Sequence, residues 1–267
     1  MSAFARPVPQ SPDPLLLRRD AGGVSTLTLN RGAARNALSL GLMAALQDAL
    51  DGIARDRDVR VVVLNGAGPA FCAGHDLKEM RSRSGPAAAA VFRACSDLML
   101  TITRLPQPVI AQVHGIATAA GCQLVATCDL ALCAEDARFA TPGVDIGLFC
   151  STPMVALSRV VPRKAAMEML LLGAPIGAAE ALRIGLVNRV VPAADLDAAA
   201  HAMAARIAEK PARVLAIGKA AFGPQAELGL EDAYAYAAEV MTRNMALTEA
   251  EEGIDAFLQK RAPRWPA

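Results

Sequence analysis

The stretch Ala111-Gln-Val-His-Gly-Ile-Ala-Thr-Ala-Ala-Gly-Cys-Gln-Leu-Val-Ala-Thr-Cys-Asp129 decides the fold of this chain. It begins in an apolar run ending at Val113, turns at Gly115, passes through small residues and enters an apolar segment at Gly121. This order predicts a strand, a turn and a helix N-terminus. Because helix N-termini carry unpaired N–H groups and partial positive charge, the main chain here can stabilise an anion. Small residues would equally serve close packing of a helix on a sheet.

A second stretch has the same order: Arg60-Val-Val-Val-Leu-Asn-Gly-Ala-Gly-Pro-Ala-Phe-Cys-Ala-Gly-His-Asp-Leu-Lys78. Its apolar run predicts a buried strand, the glycines predict a turn, and the end predicts a helix start. Two such turns can each present one N–H group to a single carbonyl oxygen, which is how an oxyanion hole is built. The pair of stretches therefore favours a catalytic site over packing alone.

The motifs Ala70-Phe-Cys-Ala-Gly-His-Asp-Leu77 and His114-Gly-Ile-Ala-Thr-Ala-Ala-Gly-Cys-Gln-Leu124, the latter followed by Cys128-Asp129, resemble those of the crotonase (enoyl-CoA hydratase/isomerase) superfamily. The resemblance runs from about residue 15 to residue 261, nearly the whole chain. It implies a spiral of ββα turns, a C-terminal helical region that makes a homotrimer or a hexamer of two trimers, and an acyl-CoA substrate. No separate cofactor is expected, since coenzyme A is part of that substrate.

Composition excludes several classes of protein. The 267 residues are 54% hydrophobic, which predicts one large core and a subunit interface, and the net charge of +1 gives no case for nucleic acid. No apolar run reaches membrane-spanning length. Six scattered cysteines predict free thiols in a reducing compartment and no metal site. Residues 1–14 are Pro-rich and lack a secretory apolar region, so we expect a disordered N-terminus on a cytoplasmic protein.

Strand and helix patterns alternate along the chain and predict an α/β fold with mixed sheets. Residues 15–200 form the predicted core spiral, and residues 201–267 form the predicted helical trimerisation region. Within the core, the pattern predicts a hairpin around residues 20–23, a helix capped by Ser39, and strands over 61–64, 109–113 and 130–133. From residue 152 the pattern is mainly helical, interrupted by a strand over 186–191.

The resemblance also implies site residues. The two hole N–H groups fall on His75 and Ala120, where the family commonly has glycine at the second position. The coenzyme A site implied by the family pattern comprises Ala34, Arg35, Leu38, Ala73, Asp76, Leu77 and Lys78. Phe257 and Lys260 match a C-terminal segment that reaches the coenzyme of a neighbouring subunit.

The chain departs from the family at both acid–base positions. The two glutamates of the hydratases fall on Gln123 and on Gly143, and neither residue can transfer a proton at neutral pH. Because each acid–base group contributes about 10²–10⁴-fold, weak or altered hydration is expected. Asp145 and Ser151 are candidate substitutes, and the His75 ring is another if it reaches the thioester.

Two main functions remain open. The retained hole favours an acyl-CoA enzyme of the hydratase/isomerase type, whereas the missing glutamates favour a non-catalytic acyl-CoA-binding or regulatory protein. A serine peptidase on the same fold is disfavoured, because no Ser, His and Asp stand in matching positions. Gly66-Ala-Gly68 lacks the third glycine of a dinucleotide motif, with Phe71 in its place.

Overall fold

A computed structural model describes residues 13–266 of the chain. Most of the predicted disordered N-terminus, residues 1–12, lies outside the described residues. The strands are β1 Leu16–Ala21, β2 Val24–Leu29, β3 Val61–Gly66, β4 Val109–Val113, β5 Ile116–Thr118, β6 Leu130–Ala134, β7 Arg138–Ala140, β8 Ile176–Gly177 and β9 Arg189–Val191. The helices are α1 Leu40–Arg55, α2 Leu77–Arg81, α3 Gly85–Arg104, α4 Ala120–Thr127, α5 Ser151–Val160, α6 Arg163–Leu172, α7 Ala178–Arg183, α8 Leu196–Ala208, α9 Ala212–Ala226, α10 Leu230–Met245 and α11 Thr248–Leu258. The predicted α/β class is confirmed.

The main sheet has the order β1-β2-β3-β4-β6-β9. β1 pairs with β2 antiparallel, as the predicted hairpin requires, and every later pair in this sheet is parallel. The parallel strands therefore all point the same way, and the loops that leave their carboxyl ends gather at one edge. The Gly-rich segments of the two stretches, residues 60–78 and 111–129, leave the sheet at this edge.

Helices cover both faces of the main sheet. In β3, Val62 and Leu64 face a core cluster shared with α1 and α3, whereas Val61 and Val63 face the side covered by α8. Such a two-sided strand needs a continuous apolar sequence, which is why Val61 to Leu64 lacks polar residues. The predicted N-cap is also observed, since the Ser39 hydroxyl accepts a hydrogen bond from the Leu42 N–H at 3.2 Å.

A second, smaller sheet joins β5, β7 and β8. The sequence pattern did not predict it, because these strands are two or three residues long and carry no periodic signal. β5 pairs in parallel with β7, with Thr118 opposite Ala140. This sheet fixes the segment between β4 and α4, which the sequence predicts only as a turn.

The C-terminal helices lie beyond the amino ends of the parallel strands. Lys219 of α9 donates hydrogen bonds to the carbonyl oxygens of Ile102 and Gln107, both at 3.0 Å, and to Asp129 Oδ2 at 2.6 Å. Gln107 precedes β4 and Asp129 precedes β6, so the three bonds anchor α9 at this edge. The predicted boundary after residue 200 falls inside α8, which packs on the sheet. Within residues 13–266, no helix is both long and apolar enough to cross a membrane.

Candidate functional site

The Gly-rich turns after β3 and β4 lie against each other at the carboxyl edge of the sheet. A Cβ atom at Gly115 would lie 2.3 Å from the Pro69 carbonyl oxygen, so only glycine fits at this crossing. The Phe71 N–H donates to the His114 carbonyl oxygen at 3.1 Å, and the Cys72 N–H donates to the Ile116 carbonyl oxygen at 3.2 Å. The two stretches therefore form one structural unit.

A buried asparagine attaches the loop over residues 31–38 to this unit. Asn36 Nδ2 donates to the carbonyl oxygens of Ala67 and Ala70, both at 2.8 Å, and its Oδ1 accepts from the Arg31 N–H at 2.8 Å. The residue is fully buried and has a φ angle of 54°, which asparagine tolerates better than most residues. No sequence signal separates Asn36 for this role, because it lies in a short loop.

The backbone amides of His75 and Ala120 come together at Gly74. A Cβ atom at Gly74, whose φ angle is +87°, would lie 2.9 Å from Ala119 Cβ and 3.3 Å from the Ala120 nitrogen. Neither amide has a hydrogen-bond acceptor among residues 13–266, and Ala120 is the first residue of α4, so its N–H has no partner within the helix. Ala119 carries the strain of the turn, with φ 50° and ψ −117°. The two amides therefore lie close together at Gly74, and neither N–H is paired among the described residues.

Glycine is also required immediately after the second amide. A Cβ atom at Gly121 would lie 2.1 Å from the Cys72 carbonyl oxygen, so the first turn of α4 sits directly on the segment that leads to Gly74. This contact explains why the third glycine of the family motif persists here while Ala119 and Ala120 replace the other two. An alanine in place of glycine leaves the backbone N–H intact.

The His75 side chain lies between these amides and α3. Its ring meets Phe92 edge to face, with centroids 5.5 Å apart and an interplanar angle of 84°. Nε2 is buried without a hydrogen-bond partner among the described residues, and so is the hydroxyl of the fully buried Thr141, which follows β7. Burial lowers the pKa of the His75 imidazole, so the neutral form predominates at pH 7. An unpaired buried polar atom such as His75 Nε2 is typical of a position that a ligand or water completes.

The Gln123 side chain also contacts α3. It is 4% exposed, and Cys95 Sγ lies 3.9 Å from its Oε1, within reach of a weak S–H donor. Phe92 and Cys95 are three residues apart, so one face of α3 contacts both His75 and Gln123. The sequence predicted this helix but not which of its faces meets the site.

No space exists at Gly143 for a side chain. A Cβ atom there would lie 2.8 Å from the Leu148 carbonyl oxygen and 2.9 Å from Cys150 Sγ. The cause is the 3₁₀ turn Pro142–Ile146, after which the Leu148 N–H donates back to the Gly143 carbonyl oxygen at 2.9 Å. The position of the second hydratase glutamate is thus closed by the backbone of its own loop.

The two candidate substitutes for the glutamates point elsewhere. Asp145 is exposed, and a Cβ atom at Gly173, just after α6, would lie 3.1 Å from its Oδ2. The exposed Ser151 begins α5, and its hydroxyl donates to the Phe149 carbonyl oxygen at 3.4 Å. Neither side chain is directed by a hydrogen bond toward the paired amides.

Most of the residues implied for coenzyme A lie together beside the paired amides. The Leu38 N–H donates to the Gly74 carbonyl oxygen at 2.7 Å, and the Ala73 N–H donates to the Arg35 carbonyl oxygen at 2.9 Å. These bonds join the two loops that carry the implied residues, of which Leu38 itself is fully buried in the core: Ala34, Arg35, Leu38, Ala73, Asp76, Leu77 and Lys78. The side chains of Arg35 and Lys78 are exposed and have no salt bridge within residues 13–266.

Asp76 has a structural role in this group. Its Oδ1 caps α2 by accepting from the N–H groups of Lys78 at 3.1 Å and Glu79 at 3.2 Å. Its Oδ2 pairs with the Arg31 guanidinium at 3.0 Å, and this hydrogen bond holds the pKa of the carboxyl below its usual range. Asp76 therefore orients the loop and remains ionised at neutral pH.

Phe257 and Lys260 lie apart from this surface within one chain. Phe257 is 82% exposed and lines a cavity of about 580 Å³ with Lys210 and Trp265. The Lys210 carbonyl oxygen accepts from Arg60, which immediately precedes β3, at 2.8 Å. The C-terminal segment thus lies at the amino edge of the sheet, opposite the paired amides, and a single chain does not bring Lys260 to them.

The thiols around the site are unreactive by their surroundings. Burial raises the pKa of Cys72, Cys95 and Cys122 to about 12, and it also raises the pKa of Cys150, so all four are neutral at pH 7. Within the described part of the chain, no three His, Cys, Asp or Glu side chains are grouped to hold a metal ion.

Comparison with known sequences identifies the relatives of this chain. A sequence model of the enoyl-CoA hydratase/isomerase family matches residues 19–267. The rat enoyl-CoA hydratase domain-containing protein 3, mitochondrial, is 46% identical over 263 residues, which are 98% of this chain and 88% of the relative. The human protein of the same name is 47% identical over 248 residues, which cover 92% of this chain and 82% of the relative.

Comparison with solved structures confirms the fold that the sequence resemblance implied. The crystal structure of an enoyl-CoA hydratase from Mycobacterium smegmatis matches with a TM-score of 0.92 and 56% identity, covering 95% of this chain and 99% of that chain. Human enoyl Coenzyme A hydratase domain-containing protein 3 matches with a TM-score of 0.92 and 46% identity, covering 94% of this chain and 100% of that chain.

The expected cytoplasmic location is wrong by the names of the sequence relatives. The rat, mouse and human relatives are all named as mitochondrial. The expectation rested on the lack of a recognisable leader in residues 1–14, and such a lack carries little information about the compartment.

Proposed function

The chain belongs to the enoyl-CoA hydratase/isomerase family, and from this premise we propose that it acts on an acyl-CoA thioester through an enolate-stabilising oxyanion hole. The observation that carries the proposal is the contact at Gly74, which sets the free N–H groups of His75 and Ala120 side by side. Two preorganised donors lower the energy of the negative charge that develops on a thioester oxygen when an enolate forms. The α4 N-terminus adds a favourable electrostatic potential at the same point.

The proposed substrate carries its coenzyme over the surface formed by residues 34–38 and 73–78. Arg35 and Lys78 are exposed cations there without a salt bridge among the described residues, and they suit the phosphates of coenzyme A. Leu38 and Ala73 bring the backbone of the two loops together, which forms a wall for the pantetheine chain. Coenzyme A enters as part of the substrate, and the proposal requires no other cofactor.

We further propose a homotrimer, or a hexamer of two trimers. The C-terminal helices present large apolar side chains to solvent in the single chain, with Phe222 75% exposed, Leu230 75% exposed and Phe257 82% exposed. Exposed apolar surface of this extent is typical of a subunit interface. Assembly is also the way in which Lys260 would reach the coenzyme of a neighbouring subunit, since its own site lies at the opposite edge of the sheet.

Ordinary hydration is expected to be weak. Gln123 orients a water molecule but transfers no proton, and Gly143 has no room for a replacement. The alternative function, a non-catalytic acyl-CoA-binding or regulatory protein, is favoured by the absence of both glutamates, and the closed position at Gly143 adds to this. Both functions require the coenzyme surface, but the non-catalytic function does not require polarisation of the thioester carbonyl.

A conjugated aromatic enoyl-CoA distinguishes the two functions. Calorimetry with crotonyl-CoA measures binding, and the absorption spectrum of bound cinnamoyl-CoA measures polarisation of its carbonyl group. The enzyme proposal predicts binding together with a red shift, because the hole withdraws electron density along the conjugated system. Binding without a red shift supports the non-catalytic alternative, and no binding at millimolar ligand refutes both.

A further inference from the structure

We propose that the His75 imidazole carries a proton to and from C2, the α-carbon of a bound acyl-CoA thioester. This inference rests on the proposed function, since the hole must hold the thioester oxygen for the ring to reach C2. It assigns to the side chain of His75 a role that is independent of its backbone N–H. The ring thus replaces a function that the two absent glutamates leave unfilled.

The position of the ring follows from one face of α3. Phe92 contacts the imidazole at a centroid distance of 5.5 Å, and Cys95, one turn later, contacts the Gln123 amide at 3.9 Å. Residues three apart on a helix lie on the same face, with Cβ atoms about 5–6 Å apart, so one face of α3 contacts both the imidazole and the Gln123 amide. His75 also supplies one hole N–H, and Gln123 lies one turn after Ala120, which supplies the other. Both side chains therefore flank the place where a thioester would bind.

The imidazole is also chemically suited to this task. Its Nε2 is buried and has no protein partner among the described residues, so the ring is not engaged in an internal hydrogen bond through that atom. Burial favours the neutral ring, which is the form that accepts a proton. The other groups at this place are poorly suited to take the proton near neutral pH. The pKa of the Cys72, Cys95 and Cys122 thiols is about 12, so they stay protonated, and the Asp76 carboxylate is a weak base because its hydrogen bond with Arg31 lowers its pKa.

The step balances without any further reactant. A neutral imidazole nitrogen takes the proton from C2, and the C–H electron pair forms the enolate, whose oxygen accepts from the two hole N–H groups. The imidazolium then exchanges its proton with solvent and returns one to C2, which exchanges the C2 proton. Alternatively, it delivers the proton to C4 of a 3-enoyl thioester, which moves the double bond to C2–C3. Both outcomes regenerate the neutral ring.

The test measures exchange of the C2 protons of butyryl-CoA in D₂O by mass spectrometry. The wild-type protein is compared with His75→Gln and His75→Ala, which keep the backbone N–H, and with His201→Gln as the matched control. His201 lies on α8, on the far face of the sheet, where it contacts the Thr26 hydroxyl at 3.2 Å. We expect each His75 variant to lose about 10²-fold or more of the exchange rate, and the control to keep it. Added imidazole should partly restore exchange in His75→Ala, an effect that a merely structural role does not produce.

Calorimetry with butyryl-CoA on the same proteins distinguishes a failure of the proton-transfer role of His75 from a failure of acyl-CoA binding. Unchanged affinity in the His75 variants with lost exchange supports the inference. Wild-type binding with no exchange above the solvent rate, or exchange that persists in His75→Gln, overturns the inference and leaves the proposed function standing. Absence of wild-type binding at millimolar ligand overturns the proposed function and the inference together.

Discussion

Replacing Gly74 by alanine tests whether the paired amides form a working oxyanion hole. Gly74 has a φ angle of +87°, and an added Cβ atom would lie 2.9 Å from both Ala119 Cβ and the Thr118 carbonyl oxygen. The backbone conformation costs alanine about 1–2 kcal/mol. The clash also displaces the two loops. Carbon atoms pack at about 3.5–4.0 Å, so the loops must separate by roughly 0.6 Å or more.

That separation acts directly on the hole. A hole donor works at about 2.7–3.1 Å from the oxyanion, so a displacement of this size removes one of the two N–H groups from range. Loss of one donor costs about 10²–10³-fold in rate. Coenzyme A binding should change much less, because Arg35 and Lys78 stand outside the contact.

A glycine elsewhere in the fold supplies the control. Gly22, in the hairpin between β1 and β2, has a φ angle of +57°, and an added Cβ atom there meets nothing within 4 Å. Gly22→Ala thus has the backbone strain without the clash. Urea unfolding should show a loss of stability in both variants, whereas C2 exchange and the red shift of bound cinnamoyl-CoA should collapse only in Gly74→Ala. Wild-type exchange and a wild-type spectrum in Gly74→Ala would refute the assignment of the hole.

Three further predictions concern the closed loop, the C-terminal anchor and the imidazole. Gly143→Glu should cost about 1–3 kcal/mol of folding stability in urea unfolding and raise no hydration, because its Cβ would lie 2.8 Å from the Leu148 carbonyl oxygen; faster hydration would contradict the loop geometry. Lys219→Met should cost about 2–3 kcal/mol, since it removes the cation that pairs with Asp129, leaving that carboxylate only the Val109 N–H, and deprives two carbonyl groups of their donor; an unchanged urea midpoint would show the anchor to be dispensable. Exchange at C2 should rise with pH through an inflection below 6.5 and then level off, because burial lowers the pKa of His75 and only the neutral ring accepts a proton; an inflection above 6.5 would exclude this ring.

Much of the main sheet could be predicted from the sequence, because its signals are local. The apolar run Val109–Val113 is the observed β4, and Ser39 caps α1 as its position before an apolar periodic segment indicates. The small sheet could not be predicted in this way. Ile116–Thr118 and Arg138–Ala140 are strands only because they pair with each other, and this pairing joins segments that are distant in the sequence.

The site likewise has parts that local sequence signals predict and parts that depend on contacts across the fold. The glycines and small residues around His75 and Ala120 predict the paired turns, since main-chain geometry restricts which residues fit there. The contacts of Phe92 and Cys95 depend on which face of α3 meets the site, and spacing alone does not determine a face. Exclusion of any side chain at Gly143 depends on a turn whose closing partner is five residues away, at Leu148.

The loss of the second glutamate is therefore built into a loop and is not an isolated substitution. In a site whose charge stabilisation comes from backbone N–H groups, side chains around the hole can change without removing the hole, as Ala119 and Ala120 do here. Proton transfer has no such backbone source, so it must come from whichever titratable side chain the surrounding helices bring near C2. In this chain, backbone atoms of the loop occupy the space beside Gly143, and the imidazole of His75 lies beside Phe92. The proposed role of His75 places proton transfer on one imidazole instead of a pair of carboxylates, and it predicts that proton exchange or double-bond migration is faster than the addition of water.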